Sequence, residues 1–130
     1  MKFNNVFVVD DDMVFHFIMK KLFSTCNVDV NTSYFFNGLE AIEEIKKKHD
    51  NESSVPDLIL LDINMPILDG WQFLEEFKAI KGSLQKNVVV YLISSSNDIS
   101  DINKAKEYQD EVKKYVLKPV TQEEFQKIFQ

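Results

Sequence analysis

The sequence predicts an α/β fold, a five-stranded parallel sheet doubly wound with five helices, and three observations predict it. Short apolar runs alternate with segments of helical period five times along the chain. Two of these runs, Val6-Phe7-Val8-Val9 and Leu58-Ile59-Leu60-Leu61, are apolar throughout, as strands buried on both faces must be. The runs also end in polar groups, which a parallel sheet gathers at its carboxyl edge: Asp10, Asp11 and Asp12, then Asp62, Ser94 and Lys118. Such an alternation is built with right-handed crossovers.

Taken in order, Val6 to Val9 is the first strand, and the helix over Met13 to Phe23 is capped by Asp12. Its predicted core stripe is Val14, Phe15, Ile18 and Leu22. Val28 to Tyr34 alternates apolar and polar residues as an edge strand does, and Asn37-Gly38 is its exit turn. Leu39 to Lys48 carries Leu39, Ile42 and Ile45 on one face, with glutamates set before lysines. After a polar connector comes the strand that ends at Asp62. Pro66 and Asp69-Gly70 then turn the chain into a helix over Trp71 to Ile80, which buries Phe73, Leu74, Phe77 and Ile80 and ends at Gly82. Val88 to Ile93 is the fourth strand, and Ile99 to Tyr108 a weaker helix rich in residues that compete with helical hydrogen bonds. Tyr115 to Leu117 is the last strand. Thr121 caps the final helix, with Glu124 at the capping-box position and Phe125, Ile128 and Phe129 on its apolar side.

Composition narrows the function. A chain of 130 residues, 45% apolar and 28% charged, with three glycines and three prolines, is expected to form one domain over residues 1–130. A net charge of -6 without a basic stripe argues against binding nucleic acid, and Lys46-Lys47-Lys48 reads as a solvated helix end. Cys26 has no partner for an internal disulfide, which fits a reducing compartment. Lys2 is followed by an apolar run too short for a signal sequence or a membrane span, so the chain is read as cytoplasmic with no membrane partner. His16, on the outer face of its helix with Lys20, and His49 read as surface histidines. Asp12 reads as a cap rather than a ligand.

Gathered carboxylates repel one another unless a cation sits among them. A hard divalent ion, Mg²⁺, suits a site with few carboxylates and open positions for phosphoryl oxygens. Lys118 offers a point charge for a phosphate and Ser94 a hydroxyl donor, a set suited to phosphoryl transfer.

The residues Val8-Val9-Asp10-Asp11-Asp12, Leu60-Leu61-Asp62-Ile63-Asn64-Met65-Pro66 with Asp69-Gly70, Ser94-Ser95 and Tyr115-Val116-Leu117-Lys118-Pro119 resemble the receiver domain of two-component response regulators, of the stand-alone chemotaxis type. The resemblance runs nearly end to end and implies the flavodoxin-like strand order 2-1-3-4-5. It implies Asp62 as the phosphoacceptor, supplied by a histidine kinase or histidine phosphotransfer protein. Mg²⁺ would be bound by Asp11, Asp62 and the backbone carbonyl of Asn64, and through water by Asp10. Ser94 and Tyr115 would switch, Lys118 would pair with the phosphate, Pro119 would follow a cis peptide bond, and Asn64 and Ser96 would tune dephosphorylation. Apart from its own phosphorylation and dephosphorylation, no enzyme activity is implied.

With twelve residues after Lys118, no output domain is expected, and the signal would leave by binding an unknown protein target or by onward phosphotransfer. One departure is Tyr108-Gln109-Asp110-Glu111-Val112, where the family carries small residues; the stretch from Ser94 to Lys118 is also a couple of residues long. Met13 and Phe17, beyond the core stripe, are expected to help dock the phosphodonor. Two other readings compete. Asp10-Asp11-Asp12 also fits the nucleophile motif of a haloacid-dehalogenase-like Mg-dependent phosphatase, but that reading leaves Asp62 idle. A non-phosphorylated interaction module would have no physical need for mutually repelling carboxylates.

Overall fold

A computed structural model describes residues 3–130, so Lys2 lies outside the described residues. The elements follow as β1 (Asn5–Val9), α1 (Met13–Thr25), β2 (Asn31–Phe35), α2 (Gly38–Lys48), β3 (Leu58–Leu61), α3 (Gly70–Ile80), β4 (Val89–Ser94), α4 (Ile99–Lys106), β5 (Val112–Leu117) and α5 (Gln122–Phe129). All neighbouring strands pair in parallel, in the order β2-β1-β3-β4-β5, as expected.

Strand residues alternate between two cores. Phe7, Val9, Ile59, Leu61, Val90 and Leu92 face α2, α3 and α4, where Ile42, Ile45, Phe73, Leu74, Phe77 and Ala105 meet them. Val6, Val8, Leu58, Leu60, Tyr91, Ile93 and Val116 face α1 and α5, against Phe15, Met19, Phe23, Phe125 and Ile128. The fully apolar runs in the sequence are the strands that serve both layers.

Several elements depart from the sequence reading. In α1 the buried residues are Phe15, His16, Met19 and Phe23, so the core stripe is turned by one residue; Val14 and Ile18 are exposed. His16 is therefore a buried residue, not a surface histidine. Strand β2 begins only at Asn31, because Val28 and Val30 pack as loop residues beneath α1 and α5. Leu39 is exposed, and Ala41 takes the buried place beside Ile42. Gly82 does not cap α3 in the left-handed region: the chain continues through a 3-10 turn over Lys81–Ser83.

Helix α4 stops at Lys106, and the atypical stretch after it packs instead of looping out. Tyr108 is buried, stacks on Trp71 with ring centres 5.9 Å apart and donates to Glu75 at 2.6 Å, while the buried Glu111 pairs with Lys81. Strand β5 starts three residues earlier than expected. Val90 pairs with Val112 but Tyr91 with Lys114, so a bulge at Lys113 absorbs one residue of the longer segment.

Candidate functional site

Register decides what meets at the carboxyl edge. Val9 stands opposite Leu61 and the Asp62 amide donates to the Val9 carbonyl at 2.9 Å, so Asp10 and Asp62 leave the sheet side by side. Ser94 pairs with Leu117, and the Lys118 amide donates to the Ser94 carbonyl at 2.9 Å. The peptide from Lys118 to Pro119 is cis, as the resemblance implied.

The carboxylates of Asp10, Asp11 and Asp62 offer ligand atoms all within 4.8 Å of one another, with Asp10 and Asp62 buried and Asp11 exposed. Lys118 Nζ lies 2.7 Å from Asp10 Oδ2 and 3.7 Å from Asp62 Oδ1. Nζ also sits 4.6 Å from the centre of the Phe15 ring on α1. Burial pushes the Asp62 carboxyl up to about 6; the neighbouring charge of Asp10 adds to this and Lys118 opposes it. Burial also raises Asp10, against the hydrogen bonds from Lys118 and the Asp12 amide. Three crowded acids with one ammonium among them leave negative charge uncompensated, which is the chemistry of a hard divalent cation site.

The turn after Asp62 is tight. The Gly70 amide donates to the Ile63 carbonyl at 2.7 Å, and a Cβ on Gly70 would stand 2.5 Å from the Asp62 carbonyl oxygen. Glycine is thus required for α3 to start against the end of β3, and Asp69 closes that start with a capping box to Gln72. Asn64, in this turn, is exposed.

On the other side of Asp62, Ser94 is fully buried, and its Oγ accepts from the Ser96 amide at 3.1 Å, which leaves its own hydrogen to donate. Ser96 Oγ donates to Asp101 Oδ2 at 2.7 Å, and its carbonyl accepts from the Tyr115 hydroxyl at 2.8 Å. Tyr115, half-buried, thus ties β5 to the loop that follows Ser94. Asp12 accepts from the Val14 amide at 2.9 Å and is a cap, as read.

The candidate site residues therefore lie along one edge: Asp10, Asp11, Asp62, Asn64, Ser96 and Lys118 on the turns after β1, β3, β4 and β5, Ser94 at the end of β4, and Tyr115 two residues before the end of β5. The sequence reading missed His16, whose Nε2 lies 2.6 Å from the Asp10 carbonyl oxygen. A signal was available: side chains in a first helical turn point back over the helix N-terminus, which here is the aspartate loop.

This arrangement is a receiver-type doubly wound sheet with a cluster of carboxylates at its carboxyl edge. The family model for the response regulator receiver domain matches residues 6–130, and the chain belongs to that family. It is 30% identical over 126 residues to the rice (Oryza sativa subsp. japonica) two-component response regulator ORR26, a match covering 96% of this chain and 19% of that protein. The chain thus spans about a fifth of that relative's length. Among solved structures, a two-component response regulator from Cytophaga hutchinsonii aligns at TM-score 0.85 and 28% identity, over 99% of this chain and 96% of that one. The Mn²⁺-bound form of the response regulator Rcp1 aligns at TM-score 0.76 and 25% identity, over 98% and 89%. Receiver domains are signalling modules of two-component phosphorelay systems, and the acidic cluster is compatible with Mg²⁺. Among the described residues, no helix is long and apolar enough to cross a membrane.

Proposed function

We propose that the chain accepts a phosphoryl group on Asp62 from a phosphohistidine of a histidine kinase or histidine phosphotransfer protein, and signals in the phosphorylated state. The observation that carries this reading is the meeting of three carboxylates within 4.8 Å, with Lys118 3.7 Å from Asp62. An Asp62 carboxylate oxygen attacks phosphorus, and the P–N bond of the donor breaks with its electron pair returning to the imidazole nitrogen. Water later attacks the acyl phosphate, releasing inorganic phosphate and restoring the carboxylate.

Asp11, Asp62 and the Asn64 carbonyl would hold Mg²⁺, with Asp10 acting through water; the relative Rcp1 was solved with Mn²⁺, an ion of the same hard class. When bound, the ion neutralises charge on the phosphoryl oxygens. Lys118 pairs with the phosphate, and Ser94 donates to one of its oxygens. Drawing Ser94 toward the phosphate pulls on the Ser96 amide, and Tyr115, bonded to the Ser96 carbonyl, follows. The loop after β4 and the helix α4 are the two-state element that phosphorylation biases. Asn64 and Ser96, two residues beyond Asp62 and Ser94, tune the rate at which water reaches the acyl phosphate. The output is binding of a protein target or onward phosphotransfer, and the single half-buried Cys26 fits action in the reducing cytoplasm.

Asp10 would be a poor nucleophile for the phosphatase alternative. It is 1% exposed and both of its carboxylate oxygens are engaged, by the Asp12 amide and by Lys118. Incubation with Mg²⁺ and a small acyl phosphate, followed by mass-spectrometric mapping of the modified aspartate, tests the reading. Modification at Asp62 supports it, and modification at Asp10 overturns it.

A further inference from the structure

His16 has no part in the phosphoryl chemistry above, yet it is held as firmly as any residue of the site. The side chain is 3% exposed, its ring stacks on Phe36 at 4.6 Å between centres and packs on Tyr34 at 5.2 Å, and Nε2 lies 2.6 Å from the Asp10 carbonyl oxygen. A backbone carbonyl can only accept, so Nε2 carries the hydrogen. Nδ1 is buried with no hydrogen-bond partner among the described residues. A phenylalanine would fill the same slot without burying an unpaired nitrogen. Packing therefore does not account for the histidine, and the bond to Asp10 does.

The carbonyl that His16 holds belongs to the peptide joining Asp10 to Asp11. That peptide is planar, so fixing its oxygen also fixes the amide and Cα from which the Asp11 side chain departs. Asp10 has three further anchors: its amide donates to the Phe35 carbonyl at 3.0 Å, Oδ1 accepts from the Asp12 amide at 2.8 Å, and Oδ2 accepts from Lys118. None of these reaches the carboxylate of Asp11, which is exposed on the turn.

We propose that His16 is a positioning residue for the divalent-ion site: through the Asp10 carbonyl it sets the plane of the Asp10–Asp11 peptide and so aims the Asp11 carboxylate at the ion. The proposal rests on the reading of Asp10, Asp11 and Asp62 as the Mg²⁺ site. Outer hydrogen-bond partners of metal ligands characteristically change affinity by about 10- to 100-fold when removed.

Two substitutions separate aiming from packing. H16F keeps a ring for Phe36 and Tyr34 but has no donor, whereas H16Q keeps an N–H near the Nε2 position and loses the ring. Mg²⁺ affinity is measured by titration calorimetry on the full chain, beside the Tm of each variant in chelator. H16F is expected to bind Mg²⁺ at least about tenfold more weakly with its Tm maintained, and H16Q to bind near the wild-type affinity even where its Tm falls. If H16F binds Mg²⁺ as the wild type does, or if affinity follows Tm across both variants, His16 is packing alone and the proposal is overturned while the receiver reading stands. If the folded wild type binds no Mg²⁺ at millimolar concentration, the metal-site reading itself fails, and the proposal falls with it.

Discussion

Lys118 Nζ donates to Asp10 Oδ2 at 2.7 Å, closer than the 3.7 Å that separates it from Asp62 Oδ1. Without a divalent ion, the ammonium is thus the counterion of the more deeply buried acid, and Asp62 receives the remainder of its field. Asp10 is 1% exposed, so removing the ammonium leaves a buried charge without its counterion. K118M, which removes the charge and keeps an unbranched side chain, is expected to lower unfolding free energy in chelator at neutral pH by about 3 kcal/mol. Mg²⁺ should return more stability to the variant than it adds to the wild type. Urea unfolding with and without the ion measures both, and an unchanged midpoint in chelator would refute the pairing.

The same electrostatics gives a pH dependence. Asp62 titrates at about 6 in the fold, against 3.8 for the ordinary group, so the native state holds this proton more tightly than the unfolded chain. The stabilisation from protonated Asp62 is complete below about 4 and is lost as pH rises through about 6. Above that, burial of the carboxylate costs roughly 3 kcal/mol as an upper figure. D62N removes the charge while keeping the shape. In chelator it should be more stable than the wild type at pH 7.5, by on the order of 2 kcal/mol, with the difference shrinking toward zero as pH approaches 4. Thermal unfolding across that range is the measurement. A difference that is constant with pH would mean that Asp62 is not strained by burial.

Gly70 is the point at which α3 touches the end of β3. A methyl group there would meet the Asp62 carbonyl oxygen at 2.5 Å and the Ile63 Cα at 2.8 Å, both backbone atoms that cannot step aside. G70A should cost at least about 2 kcal/mol, as overpacking against backbone does, and should slow modification of Asp62 by an acyl phosphate by displacing its turn. G82A is the control. Gly82 is exposed, its added Cβ meets nothing within 4 Å and its φ is not positive, so alanine there should be neutral or add about 0.4–1 kcal/mol by restricting the unfolded chain.

What the sequence could disclose follows from how many readings each segment allows. Strand β3 is apolar at every position and β1 at every position after Asn5, so their burial is unambiguous, and the residue after each must emerge at the sheet edge. That made Asp10 and Asp62 legible without any knowledge of contacts. Helix α5 has one apolar side and a capping box, and it forms as read. Helix α1 carries apolar residues almost all round, at Met13, Val14, Phe15, Phe17, Ile18, Met19, Leu22 and Phe23. Two stripes one residue apart satisfy its period equally well, and only tertiary packing against β1 and α5 chooses Phe15, Met19 and Phe23. Because that rotation was open in the sequence, His16 was assigned to the wrong side. The bulge at Lys113 was hidden for a different reason: an extra strand residue leaves no mark on composition.

The stripe that packing did not use remains on the surface, beside the edge that carries the carboxylates. Met13 is 72% exposed and Phe17 65%, with Val14 and Ile18 also outward. Next to them an apolar groove between α1 and the turn after β5 is lined by Phe15, Ile18, Pro119 and Val120, with Asp12 and Lys118 at its polar side. Large apolar side chains held outward on a rigid helix contribute little to folding and much to binding. Replacing Met13 and Phe17 together by serine should therefore leave Tm and the rate of modification by a small acyl phosphate unchanged. Phosphotransfer from the cognate kinase or phosphotransfer protein should slow by about tenfold or more, the loss expected when two anchoring side chains leave an interface. Comparing the two donors on the same variant separates docking from chemistry, and an unchanged rate from the protein donor would exclude this face as the docking surface.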